Sequence, residues 1–407
     1  MSGSVCDRRA DFPEITEGFI YFDNAASTLK PRQIVERMAD FMLHKYANVH
    51  RGLYRIAAEA TKLYDEAHDV VGRLLCAGPR ELAFTPGTTG GLHLAAHLAE
   101  HNGLVKKGDI IVAPGDAHNS NLLPWRQVAR RVGAELKIIP VDSEGRPRWE
   151  LLDDILATGR VSIVAVTHVS NVTGYESPVK DIAQRAKKAG ALVVVDSAQG
   201  VPHVKTCVKD LGADMLAFSG HKMLGPTGIG GLWMRRDLAE QLEPPLGGGG
   251  TIKVVHLREG SVEVDWEEPP YKFESGTPPI AEAIGFAAAA EYLMGIGMEA
   301  IEEHERMLVK TLLEGMGDVE GIEIVGPRDW RERRGIVVFN VKGHHPDSIG
   351  VALGARGIAL RTGRHCADIL YDQLGYRFGG VRASFYFYNC TWEVERLVEE
   401  LKGIVGH

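Results

Sequence analysis

Between Glu81 and Met234, short apolar runs alternate with amphipathic stretches of helical period, and few folds accept that rhythm. The runs cover residues 81–85, 109–113, 136–140, 161–167, 192–196 and 214–219, rich in Val, Ile, Leu and Ala. Each is short enough for a strand and too continuously apolar to have a wet face. Connections such as residues 178–189 are long enough for crossover helices, so the pattern predicts an α/β domain with a mostly parallel sheet. In such sheets ligands gather beyond the carboxyl ends of the strands, where His168, Asp196 and Ser219 all fall.

Outside this stretch the rhythm changes. Helices are expected over 31–46 and 54–75, with Lys30-Pro31 as a start signal, and the glycines at 247–250 read as a loop. Beyond a helix over 280–293 come a long amphipathic helix over 298–316 and strands over 322–325, 335–341, 357–361 and 381–387. Further helices start at Pro346 and Trp392. The expected division is a large domain over 31–283, a smaller α+β domain over 284–407, and a segment 1–30 returning to pack with the latter.

A formal net charge of -8 with no basic stripe argues against nucleic acid or an anionic membrane surface as partner. No run approaches ~18 apolar residues, and the first residues carry Asp7, Arg8, Arg9 and Asp11 without an apolar stretch, so neither a membrane span nor a secretion signal is expected. Five cysteines at irregular spacing suit neither a disulfide framework nor a zinc site. A reducing cytoplasm is the expected setting, with no metal.

The chemistry concentrates at the strand ends. Ser219-Gly220-His221-Lys222 closes one αβ unit, and Asp196, followed by Gln199, closes the previous one. A lysine amine to hold an aldehyde and a carboxylate to keep a pyridine nitrogen protonated are what pyridoxal 5′-phosphate (PLP) requires. Thr85-Pro86-Gly87-Thr88-Thr89 leaves a strand and opens a helix, where free N–H groups and the hydroxyls of Thr88 and Thr89 form a phosphate cradle or a plain cap. Gln199 and Asn171 are placed to donate to the phenolic oxygen. His118 either stacks on the ring and moves protons or merely orders its loop. In Arg361-Thr362-Gly363-Arg364-His365-Cys366, with Arg382 following, the arginines suit a carboxylate. The basic neighbours should favour the Cys366 thiolate, making it the expected nucleophile.

With these residues assembled, the chain resembles the class-V aminotransferase superfamily, and within it the group II (Suf-type or selenocysteine lyase-like) cysteine desulfurases. The resemblance runs from Asp23-Asn24-Ala25-Ala26 to Ala383-Ser384 and is sharpest at Ser219–Lys222, at Gly225-Pro226-Thr227-Gly228-Ile229-Gly230 and at Arg361–Cys366. It implies PLP fold type I with a seven-stranded, mostly parallel sheet, a homodimer, and conversion of L-cysteine (or L-selenocysteine) to L-alanine. The sulfur would wait as a persulfide on a mobile loop for an acceptor protein, serving iron–sulfur cluster assembly or another sulfur pathway. It further implies Lys222 as the Schiff-base lysine and Asp196 as the pyridinium partner. Thr89, Ser219 and His221 fall at the phosphate, with Thr277 and the segment His50-Arg51-Gly52 approaching from the partner subunit. Asn24, Ala26, Arg361 and Arg382 fall at the substrate. The chain departs from the family where paired histidines are usual: His118 is followed by Asn119, so either one falls at the stacking position. Gly90, His93 and Arg364 also replace usual residues. Aminotransfer, epimerisation, C–S lysis or a non-catalytic sulfur scaffold remain open on the same fold.

Overall fold

The computed structural model describes residues 5–317 and 319–405. Seven strands form the central sheet: β1 (Leu82–Thr85), β2 (Ile110–Pro114), β3 (Glu135–Ile139), β4 (Val161–Thr167), β5 (Leu192–Asp196), β6 (Met215–Ser219) and β7 (Gly230–Met234). Their order is β1-β7-β6-β5-β4-β2-β3, parallel except that β7 runs against both neighbours. The six expected runs are all strands, shifted by a residue or so at their ends. The seventh, β7, was hidden by its Gly230-Gly231 start.

Continuous apolarity in these strands has a direct consequence for packing. Val193 and Val195 point into a core shared with the helices Arg55–Leu74 and Ile280–Ile296, whereas Val194 points into the core on the other side, with the helices Gly87–His101 and Leu123–Val132. A strand dry on both faces needs helices on both faces, which is the arrangement found.

Gly230 shows how tightly the site end of the sheet is built. A Cβ there would stand 2.2 Å from the Phe218 carbonyl oxygen and 2.7 Å from the Gly87 Cα, both backbone atoms of segments that carry site residues. Gly230→Ala is therefore expected to cost about 3 kcal/mol of stability. Denaturant unfolding of the wild-type and variant apo-proteins checks this, and equal midpoints would refute it.

Beyond the sheet, β8 (Ile252–Arg258) and β9 (Ser261–Trp266) make an antiparallel hairpin that the sequence reading missed. Its solvent-facing Val254, Val255, Leu257 and Val262 obscure the usual alternation. The smaller domain has an antiparallel sheet of β10 (Ile322–Val325), β11 (Ile336–Val341), β12 (Arg361–Gly363) and β13 (Gly380–Ser384), in the order β10-β11-β13-β12. Helices Met298–Gly317, Pro346–Gly354 and Thr391–Val405 pack on it.

The expected boundary at 283/284 cuts the helix Ile280–Ile296, whose Ile284, Phe286, Ala289, Ala290 and Leu293 lie in the large core. The helix ends at Gly297, which has φ +96°. Residues 1–4, 318 and 406–407 of the expected segments lie outside the described residues. The N-terminal segment does return: Ile20 and Tyr21 pair in parallel with Ile358 and Ala359, and Asp23 bridges to Ser384.

Candidate active site

Three adjacent strands deliver the central groups. Thr167 ends β4 in register with Asp196 at the end of β5, and β6 ends at Ser219, from which a single turn, Gly220–Lys222, carries the lysine. These open into a cavity of about 490 Å³. It is also lined by Ala25, Ala26, Thr88, Thr89, His118, Asn171, Gln199, His221, Arg361, Cys366 and Arg382. Residues from eight separate stretches of the chain are thus brought together.

Burial lowers the Lys222 ammonium to about 8, against the pull of Asp196. Asp196 is itself raised by burial and held back by the Ala198 N–H, 3.1 Å away, and by Lys222. Asp116, two residues past β2, is fully buried. Burial, with a contribution from Asp196, pushes Asp116 up to about 8. Asp196 and Asp116 are thus electrostatically coupled, and Lys222 favours the charged form of Asp196. Nothing in the sequence marked Asp116 for this.

At the other end of the cavity the Thr88 N–H donates to Ser219 Oγ at 2.8 Å, the two hydroxyls lie 2.6 Å apart, and Thr89 Oγ1 lies 2.8 Å from Ser120 Oγ. This hydroxyl cluster surrounds the start of the helix Gly87–His101, the arrangement that suits a phosphate. His221 stands beside it, lowered to about 4 by burial and by Lys222 and Lys30, and is therefore neutral.

His118, not Asn119, lines the cavity. Asn119 is turned to the Cys366 segment: its N–H donates to the Cys366 carbonyl at 2.7 Å and its amide to Asp368 at 3.0 Å. The expectation of Asn119 as a cofactor ligand is accordingly corrected. The Ser120 N–H donates to His118 Nδ1 at 3.0 Å, and burial with Lys222 and Arg382 lowers the imidazole to about 4. With Nδ1 occupied as an acceptor, the neutral ring carries its proton on Nε2. It therefore offers an N–H and a flat face rather than a base.

Arg382 is buried, giving Nη1 to the Asn171 carbonyl at 3.0 Å and Nη2 to Asp23 at 3.5 Å, while its Nε has no partner. Arg361 is exposed and grips Asp23 through Nε (3.0 Å) and Nη2 (2.8 Å). Asp23, which the sequence reading used only to mark a motif, therefore aligns both arginines. Asn24, expected at the substrate, does not line the cavity. Its amide donates to the Ser384 carbonyl at 2.8 Å and to Asn389 at 3.1 Å, and it accepts from Tyr388, so it ties the N-terminal segment to the small domain. Thr277 lies outside the cavity as well, in a separate apolar recess with Phe84 and Phe273.

Cys366 is exposed, and its neighbour electrostatics differ from expectation. Arg364 is committed to Asp368 and Asp372, and burial lowers His365 to about 3, so neither places a free positive charge at the thiol. Lys222 and Arg361 are the cations that feel Cys366. Nor is the segment loose. The carbonyl of Cys366 accepts from Asn119, that of His365 accepts from Asn171 Nδ2 at 2.8 Å, and His365 Nδ1 lies 2.7 Å from the Tyr371 hydroxyl. His365 and Cys366 both hold positive φ, 49° and 56°, which few side chains adopt unless their surroundings impose it.

The family model for aminotransferase class V matches residues 20–397. The chain belongs to the class-V aminotransferase family. Within it, its relatives are cysteine desulfurases: a probable cysteine desulfurase of Aeropyrum pernix is 54% identical over 405 residues, 99% of this chain and 98% of the relative. A cysteine desulfurase structure from Thermococcus onnurineus superposes with a TM-score of 0.93 at 41% identity, covering 98% of each chain. The cysteine desulfurase CsdA of Escherichia coli gives 0.90 at 33%, covering 100% of this chain and 99% of that one.

Proposed function

We propose that this chain is a PLP-dependent cysteine desulfurase that converts L-cysteine to L-alanine and holds the sulfur on Cys366. One observation carries this reading: a single cavity presents a lysine lowered to about 8, an acid coupled to it, a hydroxyl-lined helix start, a paired arginine site and an exposed cysteine. The residues fit the cofactor. Lys222 would take its aldehyde, Asp196 its ring nitrogen, His118 its face, and Thr88, Thr89, Ser219 and His221 its phosphate. Asn171 Oδ1 is buried without a partner, and its Nδ2 gives one of its two N–H groups to the His365 carbonyl. Gln199 and Asn171 each keep one N–H for the ring oxygen. When bound, PLP supplies the electron sink for a carbanion at the amino acid Cα.

The chain's own groups do the rest. The unpartnered Nε of Arg382, beside Arg361, takes the substrate carboxylate. Lys222 is the base for the Cα proton, because His118 has no free lone pair. The Cys366 thiolate attacks the substrate sulfur, forming an S–S bond as the Cβ–S bond breaks. Cysteine thereby becomes alanine and the enzyme a persulfide. Since the Cys366 segment is tied at both carbonyls, an acceptor protein must come to it.

We infer a homodimer acting in the cytoplasm, with L-selenocysteine as a second candidate substrate. Among the described residues no single helix is long and apolar enough to cross a membrane. The surface of one copy is 17400 Å², against about 15,600 Å² for a compact monomer of this mass. Leu43, Tyr46, Leu53 and Tyr54 are exposed close together in sequence, and Thr277 and His50 lie outside their own copy's cavity, which suits delivery to a partner. Sedimentation at equilibrium tests this.

The activity test is incubation of the yellow holoprotein with L-cysteine. Alanine should appear together with protein-bound sulfur released by dithiothreitol. Sulfide or pyruvate without a protein persulfide would select C–S lysis instead. A further expectation concerns loading: only the neutral amine of Lys222 is nucleophilic, so PLP uptake by apo-protein should quicken about tenfold per pH unit up to ~8 and then level. Stopped-flow absorbance reads it; a pH-independent rate would refute the lowered lysine.

A further inference from the structure

Gln199 sits three residues beyond Asp196, and a buried chain of contacts behind it has no part in the chemistry above. Its Nε2 donates to the Ala25 carbonyl at 2.7 Å. Its Oε1 lies 3.2 Å from His203 Nε2, and His203 Nδ1 lies 2.8 Å from Glu305 Oε2. All three side chains are buried to within 2% of fully.

The proton positions follow from the one partner whose role is fixed. A backbone carbonyl accepts only, so the Gln199 atom facing Ala25 is the nitrogen, and the atom facing His203 is the oxygen. His203 Nε2 must therefore carry a hydrogen. Between Nδ1 and Glu305 there is then one further proton, on the imidazole or on the carboxyl, and in both cases the pair is neutral overall. Burial raises the Glu305 carboxyl while His203 holds it down, as a shared proton requires. The charged and titratable groups around the pair are Glu302, Arg334 and Tyr386. The backbone also makes room for the pair: Gly335 has φ +46°, and a Cβ there would stand 2.7 Å from Glu305 Oε2 and 3.2 Å from His203 Nδ1.

We propose that His203 and Glu305 are positioning residues that lock the Gln199 amide so that the cavity meets its remaining N–H and never its oxygen. Without them only the Ala25 carbonyl would oppose a turned amide, whose lone pair would repel the phenolic oxygen. The inference rests on the PLP reading for the identity of what is held, but the pair itself is a property of the apo-protein.

Two measurements test it. In apo-protein with 15N-labelled histidine, the resonances lost in His203→Phe should show a proton on Nε2; a ring protonated only on Nδ1 overturns the proposal. In holoprotein, Glu305→Ala and His203→Phe should weaken PLP binding about fivefold and shift the absorbance of the bound coenzyme. Glu305→Gln, whose amide can still donate to Nδ1, should stay within about twofold of wild type. A Gln199→Ala protein should show the same loss, and adding Glu305→Ala to it should cost nothing more, because both act through one amide. Additive losses would mean a merely structural role and overturn the proposal. Wild-type protein that takes up no PLP would sink the function proposed above, while the nitrogen resonances would still decide the pair.

Discussion

A Lys222→Ala protein should come off a desalting column without its coenzyme, give no label with borohydride, and make alanine from cysteine at least about a thousandfold more slowly than wild type. The magnitude follows from two duties falling on one atom. On the proposed function, Lys222 would be the amine that retains the aldehyde and also the base for the Cα proton. No other cavity group replaces it, since His118 has its Nδ1 committed to Ser120 and His221, lowered to about 4, is only a weak base. Lys222→Arg should fare no better, because a guanidinium is neither a nucleophile nor a base near neutral pH. Borohydride labelling of another side chain in the native holoprotein would overturn the assignment.

Cys366→Ala should behave in the opposite way before substrate arrives and in the same way afterwards. The thiol is exposed, and the segment is held through its carbonyls, so the variant should keep its coenzyme, its absorbance and its melting temperature. Alanine release should nevertheless fall at least about a thousandfold, and no dithiothreitol-releasable sulfur should form. Among the described cysteines the others cannot stand in. Cys76 and Cys207 lie outside the cavity, with Cys207 pushed up to about 11 by burial and by Cys76 beside it, and Cys390 is buried. Unimpaired turnover by this variant would remove Cys366 from the reaction.

What could be read from the chain beforehand follows a physical division. Strands such as Val161–Thr167 and Leu192–Asp196 were legible because a strand dry on both faces leaves a continuous apolar run. The hairpin of β8 and β9 was not, because exposed Val254, Val255, Leu257 and Val262 erase the period-two signal. In the site, Lys222, Asp196 and Ser219 were legible because they end strands, where topology alone gathers them. Electrostatics at Cys366 is not legible for the converse reason: Arg364 looks like a neighbouring charge in sequence, yet Asp368 and Asp372, four and eight residues on, pair with it. Asn24 was taken with its motif, although its amide is spent on Ser384 and Asn389. Asp116, His203 and Glu305 carried no local mark, since what makes them matter is a neighbour at long range.

Asp23 aligns Arg361 and Arg382 across gaps of 338 and 359 residues, and Ile20 and Tyr21 pair with Ile358 and Ala359. On a translating ribosome, then, the central sheet has all its strands long before the carboxylate pocket has both its walls. A chain ended between β7 and β12 would carry Lys222 and Asp196 but neither Arg361 nor Arg382, so the nascent protein lacks its proposed carboxylate site until synthesis is nearly done.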